Sequence, residues 1–156
     1  MPLSQTTLSI LLARLDGTQV GFSASAVREI VRAVAIAPLS GAPGVIEGAI
    51  NLHGRVVPVV DIRQRLALPA VALAPEQYMI ALEASDRLIA IRVDDVEDVV
   101  EIARSSLESP ASLSPVLQRL HGVAALADGA LVIYDVDAFL TQAEREALDV
   151  AAAATG

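Results

Sequence analysis

The chain has 156 residues, a formal net charge of −8, 54% hydrophobic but only 3% aromatic residues, and no cysteine. That length suits one domain, or two small subdomains sharing a core. The acidic balance and scarce aromatics argue against a nucleic-acid groove, which needs a basic field and stacking rings, and the missing cysteines exclude disulfides, thiolate metal sites and thiol nucleophiles.

The opening "MPLSQTTLSILLARLDG" has an apolar patch with no basic residues before it and no small-residue cleavage site, unlike a signal peptide. No apolar run reaches the roughly 18 residues that cross a bilayer. A cytoplasmic protein with no direct membrane insertion is expected. Residues 8–22 read as two strands around Asp16-Gly17, a pair suited to a tight hairpin. Ser23 is placed to cap one helical turn over Ala24 to Val27. "REIVRAVAIAPL" then reads as a β-branched strand ended by Pro38, and "SGAPG" as a loop. Val45 to Leu52 and Arg55 to Val60 form a second strand pair around His53-Gly54. Pro58 has no amide hydrogen, so its strand lies at an edge or its nitrogen faces away from a ladder. Asp61 can cap the short turn "IRQRL", and residues 67–76 are a proline-punctuated connector, the best internal boundary.

The second half repeats this order. Two strands surround Ser85-Asp86-Arg87, an acidic segment and a strand follow, residues 103–115 are a Ser/Pro loop, and a hairpin turns at Asp128-Gly129. The helix begins with Thr141 and Glu144 at capping-box spacing; its Ala-rich end, "DVAAAATG", is expected to fray. With an offset of 74, Gly48, Leu52, Asp61 and Leu66 meet Gly122, Leu126, Asp135 and Leu140; with an offset of 69, residues 20–31 meet 89–100, apolar ends against apolar ends. Short strands, few helices and no βαβ rhythm point to barrels or sandwiches. Two half-sized units would bury too little surface alone, so they should pack together and leave a groove.

"GAINLHGRVVPVVDIRQRL" resembles the signature of the CheW family, roughly G-x-x-N-L-R-G-x-x-x-P-x-x-D-L-R, with Gly48, Asn51, Leu52, Gly54, Pro58, Asp61 and Arg63 in place. "VREIVR", "IRVDDVEDV" and "LHGVAALADGALVIYDVDAFL" extend the resemblance over residues 8–149. It implies an all-β fold: two packed SH3-like five-stranded β-barrel subdomains with a C-terminal α-helix. These would make one CheW-like domain, with subdomain 1 at about 15–70, subdomain 2 at about 76–140 plus the N-terminal strand, and the helix at 141–152. It further implies a non-catalytic adaptor without cofactors. Such proteins bridge the regulatory domain of a CheA-type histidine kinase to the cytoplasmic tips of chemoreceptors.

The residues themselves allow plainer readings. Gly48 and Gly54 serve the backbone, at a close strand approach and a turn; the resemblance also places the surface near Gly48 against the kinase. Asn51 is expected to be satisfied by backbone groups. Val27, Ile30, Val45 and Ile50 read as core, with some left to line an apolar docking patch. Glu29 reads as a solvated strand residue, whereas the resemblance pairs it with the arginine of the N-L-R-G motif. Here His53 stands in that place. Arginine is a permanent charge; histidine gains and loses its charge near neutrality. The pairing with Glu29 thus becomes conditional, or Arg28 or Arg55 takes over the charge. The partner-binding set is Val27, Glu29, Ile30, Gly48, Asn51, His53 and Gly54.

Alternatives come from other classes. A CheW-like scaffold of a type IV pilus or surface-sensing pathway shares every feature above. A hydrolase built on His53 or His121 lacks a G-x-S-x-G elbow and a phosphate loop. A small-ligand β-barrel is disfavoured by the few aromatics. His53 and His121, 68 positions apart, have no metal-ligand spacing.

Overall fold

Three tight turns organise the strands in the computed structural model, which describes residues 7–108, 120–126 and 129–155. Asp16–Gly17, His53–Gly54 and Ser85–Asp86 each hold positive φ at both positions (56° and 76°, 54° and 83°, 49° and 65°). That geometry matches the twist of the strands it joins. The turns close β1 (Thr7–Leu15) on β2 (Thr18–Ser23), β4 (Ile46–Leu52) on β5 (Arg55–Val60), and β6 (Tyr78–Ala84) on β7 (Arg87–Val93). The other strands are β3 (Val27–Arg32), β8 (Asp95–Ala103), β9 (Leu107–Glu108), β10 (Leu120–Leu126) and β11 (Gly129–Tyr134). Gly129 opens β11, and Asp128 lies outside the described residues. Two α-helices complete the fold, α1 (Ile62–Arg65) and α2 (Gln142–Thr155).

The strands form two sheets in the orders β8-β1-β2-β11-β10-β9 and β3-β6-β7-β5-β4. The second, the middle barrel, is made from residues 27–93; the first, the flanking barrel, takes strands from both sides of that stretch. The expected division at the 67–76 connector therefore does not coincide with the division into sheets: β6 and β7 follow the connector yet pair with β3 and β5. Each sheet closes through one bent strand. The chain leaving β3 reaches β4, where Ala37 and Ala49 exchange hydrogen bonds of 2.9 and 2.8 Å. The chain leaving β8 passes a 3-10 turn at Arg104–Ser106 and pairs as β9 with β10. β9 is thus the second half of the β8 strand, and each barrel has five strands.

The internal repeat extends to register. The parallel pairs Val59–Ala90 and Val60–Ile91 in the middle barrel become Ile133–Gly21 and Tyr134–Phe22 in the flanking barrel under the offsets of 74 and 69. The bulge between Ile46 and Gly48 recurs between Leu120 and Gly122, and the pairs Ile30–Ile80 and Val31–Met79 recur as Val99–Leu11 and Val100–Ile10.

The central strands are apolar on both faces because each face has its own core. Ile10 and Leu12 of β1 face a cluster with Ile102, Leu131 and Ile133 inside the flanking barrel. Met79 of β6 joins Ile50, Val57, Val59 and Ala90 inside the middle barrel. The alternate residues, Leu11, Ala13 and Leu15 of β1 with Ile80, Leu82 and Ala84 of β6, meet in a third core that both barrels share. Phe22, Tyr134 and Phe139 stand together there, ring centroids 6.2–6.5 Å apart.

One buried cation fastens the seam. Arg63, 5% exposed, lies on α1 and reaches the carboxylate of Asp94 with Nη2 at 2.8 and 2.6 Å and Asp16 with Nη1 at 3.2 Å. Asp94 in turn accepts the Asp16 amide at 2.8 Å. Burial pushes the Asp94 carboxyl up, but the Asp16 amide and the Arg63 guanidinium outweigh it and hold its pKa below the usual carboxylate range. A second buried cation, Arg92, meets Glu47 at 2.7 Å and Gln77 at 3.1 Å.

Local expectations fare unevenly. Asp61 caps α1 by accepting the Gln64 amide at 3.1 Å, and Thr141 and Glu144 form the reciprocal capping box at 2.8 and 3.1 Å. Ser23 precedes a 3-10 turn at Ala24–Ala26 but makes no side-chain cap; its hydroxyl meets that of Ser25 at 2.9 Å. β3 ends at Arg32 rather than near Pro38, because the chain must bend there to reach β4. Pro58 is not on an edge strand. Ala49 spends both backbone groups on Ala37, so its pairing with Pro58 is of the non-bonded kind, and the ladder with β7 begins only at Val59. The helix, expected over 141–152, spans Gln142–Thr155. Leu148 and Ala151 are buried, Glu144 meets Arg65 at 2.5 Å, and Asp149 pairs with Arg87.

Gly48 sits at the β4 bulge with φ 153°, and a β-carbon there would lie 2.3 Å from the Ala37 carbonyl oxygen. Gly54, at φ 83°, has open space around it. Gly48→Ala should therefore cost about 3 kcal/mol and Gly54→Ala about 1 kcal/mol, measured by denaturant unfolding. Asp94→Asn should cost about 2 kcal/mol, below the range for breaking a fully buried pair because Asp94 is 33% exposed. A carboxylate with a depressed folded pKa stabilises above its unfolded pKa and loses that contribution as pH falls through the folded value. The wild type should accordingly lose stability as pH drops below about 4, and the Asp94→Asn variant should lose less over the same range.

Candidate docking surface at a barrel tip

The β4–β5 turn projects from the middle barrel. Asn51 accepts the Gly54 amide on its side-chain oxygen at 2.8 Å, which fixes the turn and satisfies the asparagine as its position before a turn suggested. His53 is held in the left-handed region and points its ring at Glu29, with Nε2 2.7 Å from Oε1. The two side chains are 75% and 35% exposed. Glu29 arrives from β3, just past the bulge that separates the Val27–Leu82 and Glu29–Ala81 pairs.

Neither arginine considered as a substitute partner takes the carboxylate. Arg28 binds Glu83 at 2.6–2.8 Å and the Ser25 carbonyl at 2.8 Å, and Arg55 lies exposed across from Leu52. His53, at the motif's arginine position, is thus the group that contacts the Glu29 carboxylate.

Glu29, Asn51, His53 and Gly54 are brought together; the remaining candidates are not. Gly48 is buried beneath the closing segment, so the surface over it belongs to Ile36 and Ala37. Val45 and Ile50 are core, and Val27 is half-buried against the shared core. Ile30, read as core, is 39% exposed because β3 ends its sheet. Val56 is 67% exposed opposite Asn51 and extends the apolar border of the tip. Its signal in the sequence was the phase of "RVVPVV": with Val57 and Val59 inward, Val56 must face out. His121 belongs to β10, but its side chain lies outside the described residues. Among the described residues no three His, Asp or Glu side chains are grouped to hold a metal ion, and no helix is long and apolar enough to cross a membrane.

Comparison with known proteins agrees with this architecture. The family model described as "CheW-like domain" matches residues 9–144. The chain is similar to the chemotaxis protein CheW of Klebsiella aerogenes, 26% identical over 141 residues that cover 89% of this chain and 85% of the relative. It is also similar to CheW of Bacillus subtilis, 30% identical over 105 residues covering 67% of each. Among solved structures, the scaffolding protein TtCheW of Thermoanaerobacter tengcongensis superposes with a TM-score of 0.79 at 25% identity, over 88% of this chain and 94% of that one. With two SH3-like barrels, a C-terminal helix and a family match along nearly its whole length, this chain belongs to the CheW-like family of non-catalytic chemotaxis adaptors.

Proposed function

We propose that this protein couples the cytoplasmic tips of chemoreceptors to a CheA-type histidine kinase, and that the kinase's regulatory domain docks on the tip of the middle barrel. The observation that carries this reading is an exposed ion pair, Glu29–His53, bordered by the exposed apolar side chains of Ile30 and Val56. Exposed apolar side chains give a protein partner area to bury, and the charged pair beside them fixes orientation. The turn is held by Asn51 and by backbone geometry, so little ordering entropy is lost on docking.

The test is titration calorimetry of the purified chain against the regulatory domain of a CheA-type kinase from the same genome and against a receptor-tip fragment. Both should bind. Val56→Asp should weaken the kinase complex at least roughly tenfold, by placing a charge in an apolar contact. Loss of the ion pair in Glu29→Ala should weaken it roughly two- to fivefold. His53→Ala should weaken it to a similar degree, and His53→Arg, which keeps a donor beside Glu29, should not. Absence of binding to either partner would reject the coupling role. An affinity unchanged in His53→Ala would remove His53 from the contact.

A further inference from the structure

The chain carries eleven arginines and no lysine against nineteen carboxylates. With acids in such surplus, an arginine left without one stands where the fold brings none within ion-pair distance. Among the described residues six arginines pair with a carboxylate: Arg14, Arg28, Arg63, Arg65, Arg87 and Arg92. Arg145 donates to the Leu140 carbonyl at 2.9 Å and to Gln142 at 3.2 Å. Arg104 lies in the 3-10 turn of the flanking barrel. The two other described arginines, Arg32 and Arg55, both belong to the middle barrel and both adjoin its docking tip.

Arg55 directly follows the β4–β5 turn, between Gly54 and the exposed Val56, and is itself exposed. Arg32 ends β3, two residues past the exposed Ile30. Its guanidinium rests over the Tyr78 ring, 4.7 Å from the centroid, which steadies the side chain without neutralising its charge. The nearby carboxylates serve other groups: Glu29 is engaged by His53 at 2.7 Å, and Glu83 by Arg28 at 2.6 Å. A chain of formal net charge −8 thus places two unpaired cations beside its docking surface.

We propose that the partner face docking on this tip is acidic, and that carboxylates of the kinase's regulatory domain pair with Arg55 and Arg32 around the apolar contact made by Val56 and Ile30. The inference rests on the coupling role proposed above and adds the chemistry of the partner. A guanidinium is weakly hydrated and presents a planar fork of donors that matches a carboxylate, so it suits such a contact. Charges at the border of an interface speed encounter and reject wrong partners more than they deepen affinity. The net negative charge of the whole chain repels an acidic partner, and the two arginines draw it toward the tip, so the field also orients the approach.

The experiment is stopped-flow association of the purified full chain with the regulatory domain of a CheA-type kinase from the same genome, with affinities from titration calorimetry. The association rate should fall about tenfold or more between roughly 50 mM and 500 mM salt. Arg55→Glu and Arg32→Glu should each slow association and weaken binding roughly three- to tenfold, and each should flatten the salt dependence. Arg104→Glu makes the same change in net charge on the flanking barrel and should alter both by less than about twofold. Should either tip variant unfold by circular dichroism, Arg55→Gln and Arg32→Gln replace them, with smaller losses in the same direction. Kinase binding indifferent to salt and to both tip variants would overturn the acidic-partner assignment and leave the coupling role standing. So would an equal loss in Arg104→Glu, or losses confined to binding of a receptor-tip fragment. A wild-type chain that fails to bind the kinase at any salt concentration would overturn the coupling role and this assignment with it.

Discussion

The structure depends on strands that are buried on both faces. Among the described residues the cluster inside each barrel holds five buried side chains, a small core against the entropy of ordering a five-stranded unit. The shared core holds nineteen of the described buried residues, drawn from both sheets and from the helical segments that follow β5 and β11. Each barrel thus lends its partner the apolar face that the partner lacks. The interleaved chain path follows from this need. A middle barrel inserted between the strands of a flanking one cannot drift away on a linker, because the chain crosses the seam twice, once into it and once out.

A seam so rich in valine, leucine and isoleucine specifies burial better than alignment, since many sliding arrangements bury similar area. The polar groups supply the missing address. Arg63 can satisfy its guanidinium only when the β1–β2 turn brings Asp16, and the end of β7 brings Asp94, to one place. A displaced seam would leave a cation buried and unpaired, at a cost larger than the pair's own contribution. Arg92 does this inside the middle barrel, between Glu47 on β4 and Gln77 before β6, and so aligns strands there and not the seam. The sequence placed Arg63 in a motif, and the structure gives that motif position a physical reason.

What was legible in the sequence was local. Asp16-Gly17 and His53-Gly54 name their turns, because few residues accept positive φ twice in succession. Asp61 and the Thr141–Glu144 box name their helix starts, because the cap and the amide it satisfies lie three residues apart. The duplication was visible as a spacing, and its register as soon as the strands were paired. Long-range facts were hidden. Nothing local says that β6 joins β3 while β1 joins β8. Pro58 could not choose between an edge and a gap in a ladder without knowing that Ala49 bonds to Ala37. Ile30 and Ile50 look alike in a hydrophobic pattern, yet one is on an edge strand and the other in a barrel interior. At the candidate site, Glu29, Asn51, His53 and Gly54 were found through their motif places, whereas Val56 emerged only when the neighbouring valines were seen to point inward.

The docking tip inherits its geometry from these distant constraints. Glu29 and His53 are 24 residues apart, one on β3 and the other in the turn after β4, and β3 and β4 are not neighbours in the sheet order. They meet at 2.7 Å because the segment after β3 bends to close on β4 through Ala37 and Ala49, which draws the two outer strands of the sheet together. That closure needs a residue without a side chain at position 48, where the closing backbone lies against the β4 bulge. Gly48 therefore acts on the candidate docking surface without being part of it: it permits the approach that sets Glu29 beside His53. A substitution there would disturb partner binding through the barrel's closure, and its effect on binding would follow its effect on stability. A change at Val56, exposed on the finished surface, would separate the two.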